Sequence, residues 1–218
     1  MSSAVMKVAL GLSGASVASA GGIYLSGIFT SRKEQKFSIK DLVAKNKSIV
    51  PIALGEDERW EKVWTSYKTK NQGKTVDSWN LEGWDHTNTS TKLPSLSAKC
   101  SVESNKMVDG PNDKRYQDFV SWCTRKAEFK DKLIDMGYEA LEDSDPKWQE
   151  RFNSYKENNN QNKIPGLEIP TSESYVAKTN KLQTECKSAL TAEIDEVKYK
   201  NSFDSIRTWC AKKKGEAN

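Results

Sequence analysis

The chain has 218 residues, about one domain's worth by length, and only 36% of them are hydrophobic, with a mean hydropathy of -0.76. That is lean beside the roughly 45–50% of an average globular protein, and it argues against a large α/β core of Val/Ile-rich strands. Twelve Gly and six Pro exclude a collagen-like or Pro-rich linker protein, and seven Trp, seven Tyr and six Phe argue against a disordered chain.

The net charge of +4 sits mostly at the amino end, where the first 33 residues hold Lys7, Arg32 and Lys33 and no acid. The remainder is nearly balanced, so no basic face suited to nucleic acid is expected. Lys212-Lys213-Lys214 reads as a solvated charge run.

Residues 1–33 read as a signal or anchor segment. Its core, 8–29 (VALGLSGASVASAGGIYLSGIF), carries no charge over 22 residues. As a helix it would span about 33 Å, enough for a hydrocarbon core of roughly 30 Å. Two readings compete. Ala18-Ser19-Ala20 fits the small-x-small site of a cleaved signal peptide, with Ala20 the cleavage point. Yet the apolar run continues through Ile23, Leu25, Ile28 and Phe29, which favours an uncleaved single-pass transmembrane anchor. Arg32, Lys33 and Lys36 lean toward a cytoplasmic carboxyl side by the positive-inside rule, and the cysteines lean the other way.

The rest of the chain repeats itself. Trp60, Trp64 and Tyr67 match Trp148, Phe152 and Tyr155 at a shift of 88, Cys100 matches Cys186 at 86, and YQDFVSWC (116–123) matches FDSIRTWC (203–210) at 87. Aromatics and cysteines are the rarest types present, so coincidence is a poor explanation. The fold class expected is mainly α: the N-terminal transmembrane helix, then unit 1 (34–126), unit 2 (127–214) and a tail (215–218).

Within unit 1, Trp60, Val63, Trp64 and Tyr67 share one helix face, with Asp57 placed to cap its start. A polar insert follows at about 72–91, rich in Asn, Gly, Thr and Trp, and reads as loop. In unit 2, Asp145-Pro146 gives an N-cap followed by proline at the first helical position. Residues 158–170 read as a second, shorter loop. Leu182, Cys186, Ala189 and Leu190 share a face, as do Tyr199, Phe203, Ile206 and Cys210. No sustained period-2 alternation is present.

Four cysteines allow three pairings. A duplicated, self-contained unit closes its own bond, which selects Cys100–Cys123 and Cys186–Cys210, separated by 23 and 24 residues. Each bond would staple two successive helices and contribute about 3 kcal/mol. The alternative is four reduced, packed cysteines. No C-x-x-C and a lone histidine, His86, argue against a metal site and against redox catalysis.

No catalytic constellation or cofactor motif emerges. Gly73-Lys74-Thr75 resembles the end of a phosphate-binding loop, but the glycine needed five positions earlier is Lys68. The repeat-matched tryptophans read as core. Trp79 and Trp84 occur only in the insert, where they are either partner contacts or a small cluster that pins the loop.

WCTRKAEFKDKLIDMGYEAL (122–141) followed by DPKWQERFNSYK (145–156) resembles the repeat unit of the large paralogous protein families of haemotropic mycoplasmas. The shared pattern is a short apolar amino-terminal segment, a W-C-T junction, an L…G…L stretch and a Trp-led helix ending in Y-K. It extends over nearly the whole chain, although unit 1 (IKDLVAKNKSIVPIAL) has Asn46 and Lys47 where the central glycine belongs. The resemblance implies an exported or membrane-attached protein of a wall-less bacterium that lives on red blood cells. The family is functionally uncharacterised, so no catalytic or cofactor residue comes with it.

The expected function is therefore that of a cell-membrane protein, held through residues 8–29, with its carboxyl-terminal region outside. There it would bind a host cell-surface or serum protein, or serve antigenic display, without catalysis. The alternatives are a membrane-tethered cytoplasmic scaffold, or an enzyme or inhibitor with its site in the 72–91 insert.

Overall fold

The structure, a computed structural model, describes residues 36–87, 94–157 and 162–216. Residues 8–29, the Ala20 site and the ends of both long loops lie outside the described residues. Among the described residues no helix is long and apolar enough to cross a membrane.

The first half runs β1 (Phe37–Ser38), α1 (Ile39–Lys45), β2 (Ile49–Pro51), α2 (Asp57–Asn71), α3 (Pro94–Glu103), β3 (Met107–Val108), α4 (Lys114–Cys123) and β4 (Thr124–Lys126). The second half runs α5 (Phe129–Asp135), β5 (Tyr138–Ala140), α6 (Lys147–Glu157), α7 (Lys181–Thr191), a 3-10 turn (Val197–Tyr199), α8 (Phe203–Cys210) and β6 (Ala211–Lys213). The protein is mainly helical. Three two-stranded antiparallel ladders, β1–β3, β2–β4 and β5–β6, tie the helices together. Each strand has two or three residues, too few for alternation to register in the sequence.

Local chemistry places the helix ends. Ser38 Oγ accepts from Asp41 N at 3.2 Å to start α1, and Asp113 and Asn180 cap α4 and α7 in the same way. Asp145 Oδ1 accepts from Lys147 N at 3.0 Å, the capping expected before α6. At α2 the expectation differs from the structure. Asp57 is the first helical residue, and the cap position belongs to Glu56, whose carboxylate turns away to Ala53 N and Arg125.

The four-residue face expected from Tyr199 to Cys210 is also interrupted. Asn201 adopts φ 65°, a left-handed conformation that asparagine tolerates, so Tyr199 sits in the separate 3-10 turn. Its ring is still buried beside Ile206 and Cys210.

The turns after α1 and α5 differ as their sequences do. Gly137, at φ 81°, follows the end of α5, where a side chain would be strained. In the first half, Asn46 Oδ1 instead accepts from Ser48 N at 3.1 Å, so an asparagine turn replaces the glycine.

Buried apolar side chains form two clusters, one from Ile39 to Cys123 and one from Phe129 to Ala211. The described residues from Lys36 onward nevertheless belong to one compact unit. In each cluster a tyrosine meets a tryptophan edge to face at 5.0 Å, Tyr67 with Trp122 and Tyr155 with Trp209. The first tryptophan of α2, Trp60, donates from Nε1 to Ala53 O at 2.8 Å, and that of α6, Trp148, donates to Glu142 O at the same distance. These are equivalent bonds made by sequence-matched residues.

Charged groups join the halves. Arg125 donates to Glu56 at 2.7 Å and to Asp131 at 2.6 Å, Lys47 pairs with Asp135 at 3.0 Å, and Arg59 pairs with the buried Glu128.

Candidate functional site

Three places bear on function: the cystines, the insert, and a cleft between the halves.

Cys100 is bonded to Cys123 and Cys186 to Cys210, with Cα atoms 5.6 and 5.3 Å apart. Each bond staples two successive helices of one half, α3 to α4 and α7 to α8. No cysteine is free. The pairing is the one selected by the repeat.

The insert, described to residue 87, is fastened to α2. Tyr67 lies beneath it, and its hydroxyl donates to Asp77 and accepts from Trp79 N at 3.1 Å. The buried Asp77 carboxylate also accepts from Trp79 N at 2.8 Å and Leu81 N at 2.9 Å. Burial, and then the Asp77 hydrogen bond, push the Tyr67 phenol well above its ordinary range, so it stays a donor. Asn71, fully buried, completes the latch by accepting from Ser78 N at 3.0 Å.

The matched Tyr155 does the same for the other loop, donating to Leu167 O at 3.0 Å and accepting from Ile164 N at 3.1 Å. Burial pushes its phenol up to about 12.

Trp79 and Trp84 are half-buried and pack on the first cluster. Trp84 stands edge-on to Trp64 at 6.0 Å and to Tyr67 at 5.9 Å, and its Nε1 donates to Lys74 O at 3.0 Å. Both rings therefore pin the loop while keeping part of their surface in solvent. Trp84→Ala is expected to cost about 2 kcal/mol, roughly half the cost of truncating a fully buried Trp. Urea unfolding measures it, and trypsin should then cut at Lys74. His86 is exposed on the same loop, 3.6 Å from the Asp85 carboxylate, which Thr87 holds below the usual carboxylate range through its N–H and hydroxyl.

The third place is a cavity of about 960 Å³ lined by both halves. Val43, Ile52, Trp60, Phe119 and the Cys100–Cys123 bond form its apolar wall, and Lys40, Lys47, Asp131, Lys132 and Asp135 also line it. No titratable cluster or aromatic motif announces it, so reasoning from reactive residues passes it by. Its signal lies in side-chain size at matched positions. Ala44, Ser97, Ser101 and Ser104 line it, where the second half has Ile134, Gln183, Lys187 and Leu190. The first of these pairs stands at a shift of 90, set by the caps Ser38 and Glu128, and the others at the cysteine shift of 86.

Among the described residues no group of three or more His, Cys, Asp or Glu side chains is placed to hold a metal ion. No family model, curated protein or solved structure matches the chain.

Proposed function

We propose that this chain is a membrane-anchored surface protein whose disulfide-stapled helical part, two tandem duplicated units, faces outside the cell and serves host binding or antigenic display without catalysis. The observation that carries the reading is the pair of cystines with no thiol left over. Such bonds persist in oxidising, extracytoplasmic settings and are rare where thiols are kept reduced. The uncharged 22-residue stretch 8–29 supports an anchor, and Lys7, Arg32 and Lys33 supply its polar flanks. The likeness to haemotropic mycoplasma paralogues supports a host-facing setting. Trp79 and Trp84, half-buried on a hydrogen-bonded latch, are the proposed partner contacts. Their rings are presented with little entropy left to lose on binding.

The test uses intact cells. Thiols are blocked at lysis and non-reduced peptides mapped, while an impermeant amine reagent is applied beforehand. Peptides linking Cys100 with Cys123 and Cys186 with Cys210 are expected, together with labelling of the exposed Lys178 and Lys200 and retention of the chain in carbonate-washed membranes. Four blocked thiols, or lysines labelled only after lysis, would overturn the outward placement. Release of the chain by carbonate would overturn the anchor.

A further inference from the structure

The cleft between the halves is larger than packing slack. Its volume of about 960 Å³ lies at the upper end of the roughly 300–1,000 Å³ typical of ligand pockets. The cleft opens to solvent, so a ligand seated in it would take its apolar wall out of water. Small side chains border the space on its first-half side, and at two of them, Ser97 and Ser104, the second half holds the buried Gln183 and Leu190. Leu54 and Met136, also lining residues, are 83% and 49% exposed, so apolar surface continues to the rim.

The charges along the lining are unequal. Asp131 shares Arg125 with Glu56, at 2.6 and 2.7 Å, and Asp135 is paired with Lys47 at 3.0 Å. Lys40 Nζ meets only the neutral Asn105 Oδ1, at 3.2 Å, and Lys132 Nζ lies 4.3 Å from the centre of the Phe203 ring. Neither lysine has a carboxylate within salt-bridge distance among the described residues. The lining's three lysines, Lys40, Lys47 and Lys132, outnumber its two aspartates, Asp131 and Asp135, so its charge balance is positive beside an apolar hollow.

We propose that this cleft binds an amphipathic ligand with one long apolar chain and an anionic head, the chemistry shared by fatty acids and lysophospholipids. The chain fills the space beside Val43, Ile52, Trp60 and Phe119, and the head meets Lys40 and Lys132. The proposal goes beyond the outward placement argued above and fails separately from it, because the site is defined by its lining and not by the side of the membrane.

The full chain in its own membranes is photolabelled with a diazirine-bearing palmitate, and the adducts are mapped. Adducts are expected on the peptides holding 49–54 and 119–127, saturating with probe and competed by oleate more strongly than by oleyl alcohol. Ala44→Ile with Ser104→Leu, which installs the second half's own side chains, should lower labelling about tenfold. Lys40→Gln with Lys132→Gln should weaken oleate competition about fivefold and leave oleyl alcohol unchanged.

Lysophosphatidylglycerol competing better than oleate assigns the lysophospholipid source, and the reverse order assigns the free fatty acid. Either order supports the site. Adducts confined to other peptides, labelling that does not saturate, or labelling unchanged by the two filling substitutions would overturn it. If the filled variant loses its linked cysteine peptides, the lysine variant decides: equal competition by oleate and oleyl alcohol in the unsubstituted chain, or no effect of the lysine changes, overturns the anionic head.

Discussion

Replacing Cys186 and Cys210 together by alanine is expected to lower the melting temperature by about 10 °C. The bond closes a separation of 24 residues between α7 and α8. Loop closure of that length removes denatured-state entropy worth about 3–4 kcal/mol at 25 °C. For a protein of this size, each kcal/mol moves the midpoint by about 2–4 °C. Packing adds to the entropy term, because Cys186 and Cys210 are 1% and 0% exposed and each lost sulfur leaves a small void against Leu182 and Ile206. The chain is also poor in apolar residues, so a staple carries a larger share of its net stability. Scanning calorimetry of the oxidised protein and the double variant measures the difference. A shift below about 2 °C would mean that the helix hairpin is held by its packing alone.

Helix identity was legible because it needs only spacing. Trp60, Trp64 and Tyr67 face inward as their 3.6-residue rhythm requires, and so do Leu182, Cys186, Ala189 and Leu190. The cystine pairing was legible because the repeat reduces three connectivities to one. What the sequence conceals is whatever depends on partners far along the chain. Glu56 leaves its helix end for Arg125, 69 residues away, and no local rule foresees that. The strands are shorter than a period of their own signal. Trp79 and Trp84 stand among polar residues, and only the fold brings Tyr67 and Trp64 beneath them. The cleft was concealed differently: serine and alanine carry no chemistry of their own, and their meaning appears only beside the larger residues at matched positions.

The same long-range charge pairing gives the other large effect expected. Arg125→Met should destabilise the protein by about 3–5 kcal/mol, the cost of leaving enclosed charges without their partner. The Arg125 side chain is only 10% exposed, and Glu56 and Asp131 are 22% and 17% exposed, so solvent replaces little of what the guanidinium provides. Its Nε donates to Glu56 at 2.7 Å, and Nη1 and Nη2 donate to the two oxygens of Asp131 at 2.6 and 3.1 Å.

The pH dependence identifies the mechanism. Burial alone would raise the Asp131 carboxyl, but the Arg125 hydrogen bonds and the Glu128 N–H outweigh it and hold it below the usual range. A carboxyl lowered in the folded state stabilises the fold above its unfolded value of about 3.9, and that contribution is lost as pH falls through the folded value. Without Arg125, burial raises the carboxyl and protonation favours the fold. The stability gap between the unsubstituted protein and Arg125→Met should therefore be constant near neutrality, begin to narrow above about pH 4 as the raised carboxyl of the variant takes up its proton, and narrow further below it as the unsubstituted protein loses its own contribution. Adding Glu56→Gln and Asp131→Asn to Arg125→Met removes the stranded charges and should restore about half of the loss at neutral pH. Urea midpoints across that range check all three. A loss below about 1 kcal/mol with no pH dependence would mean that Arg125 acts as an ordinary surface ion pair and adds little to the joining of the halves.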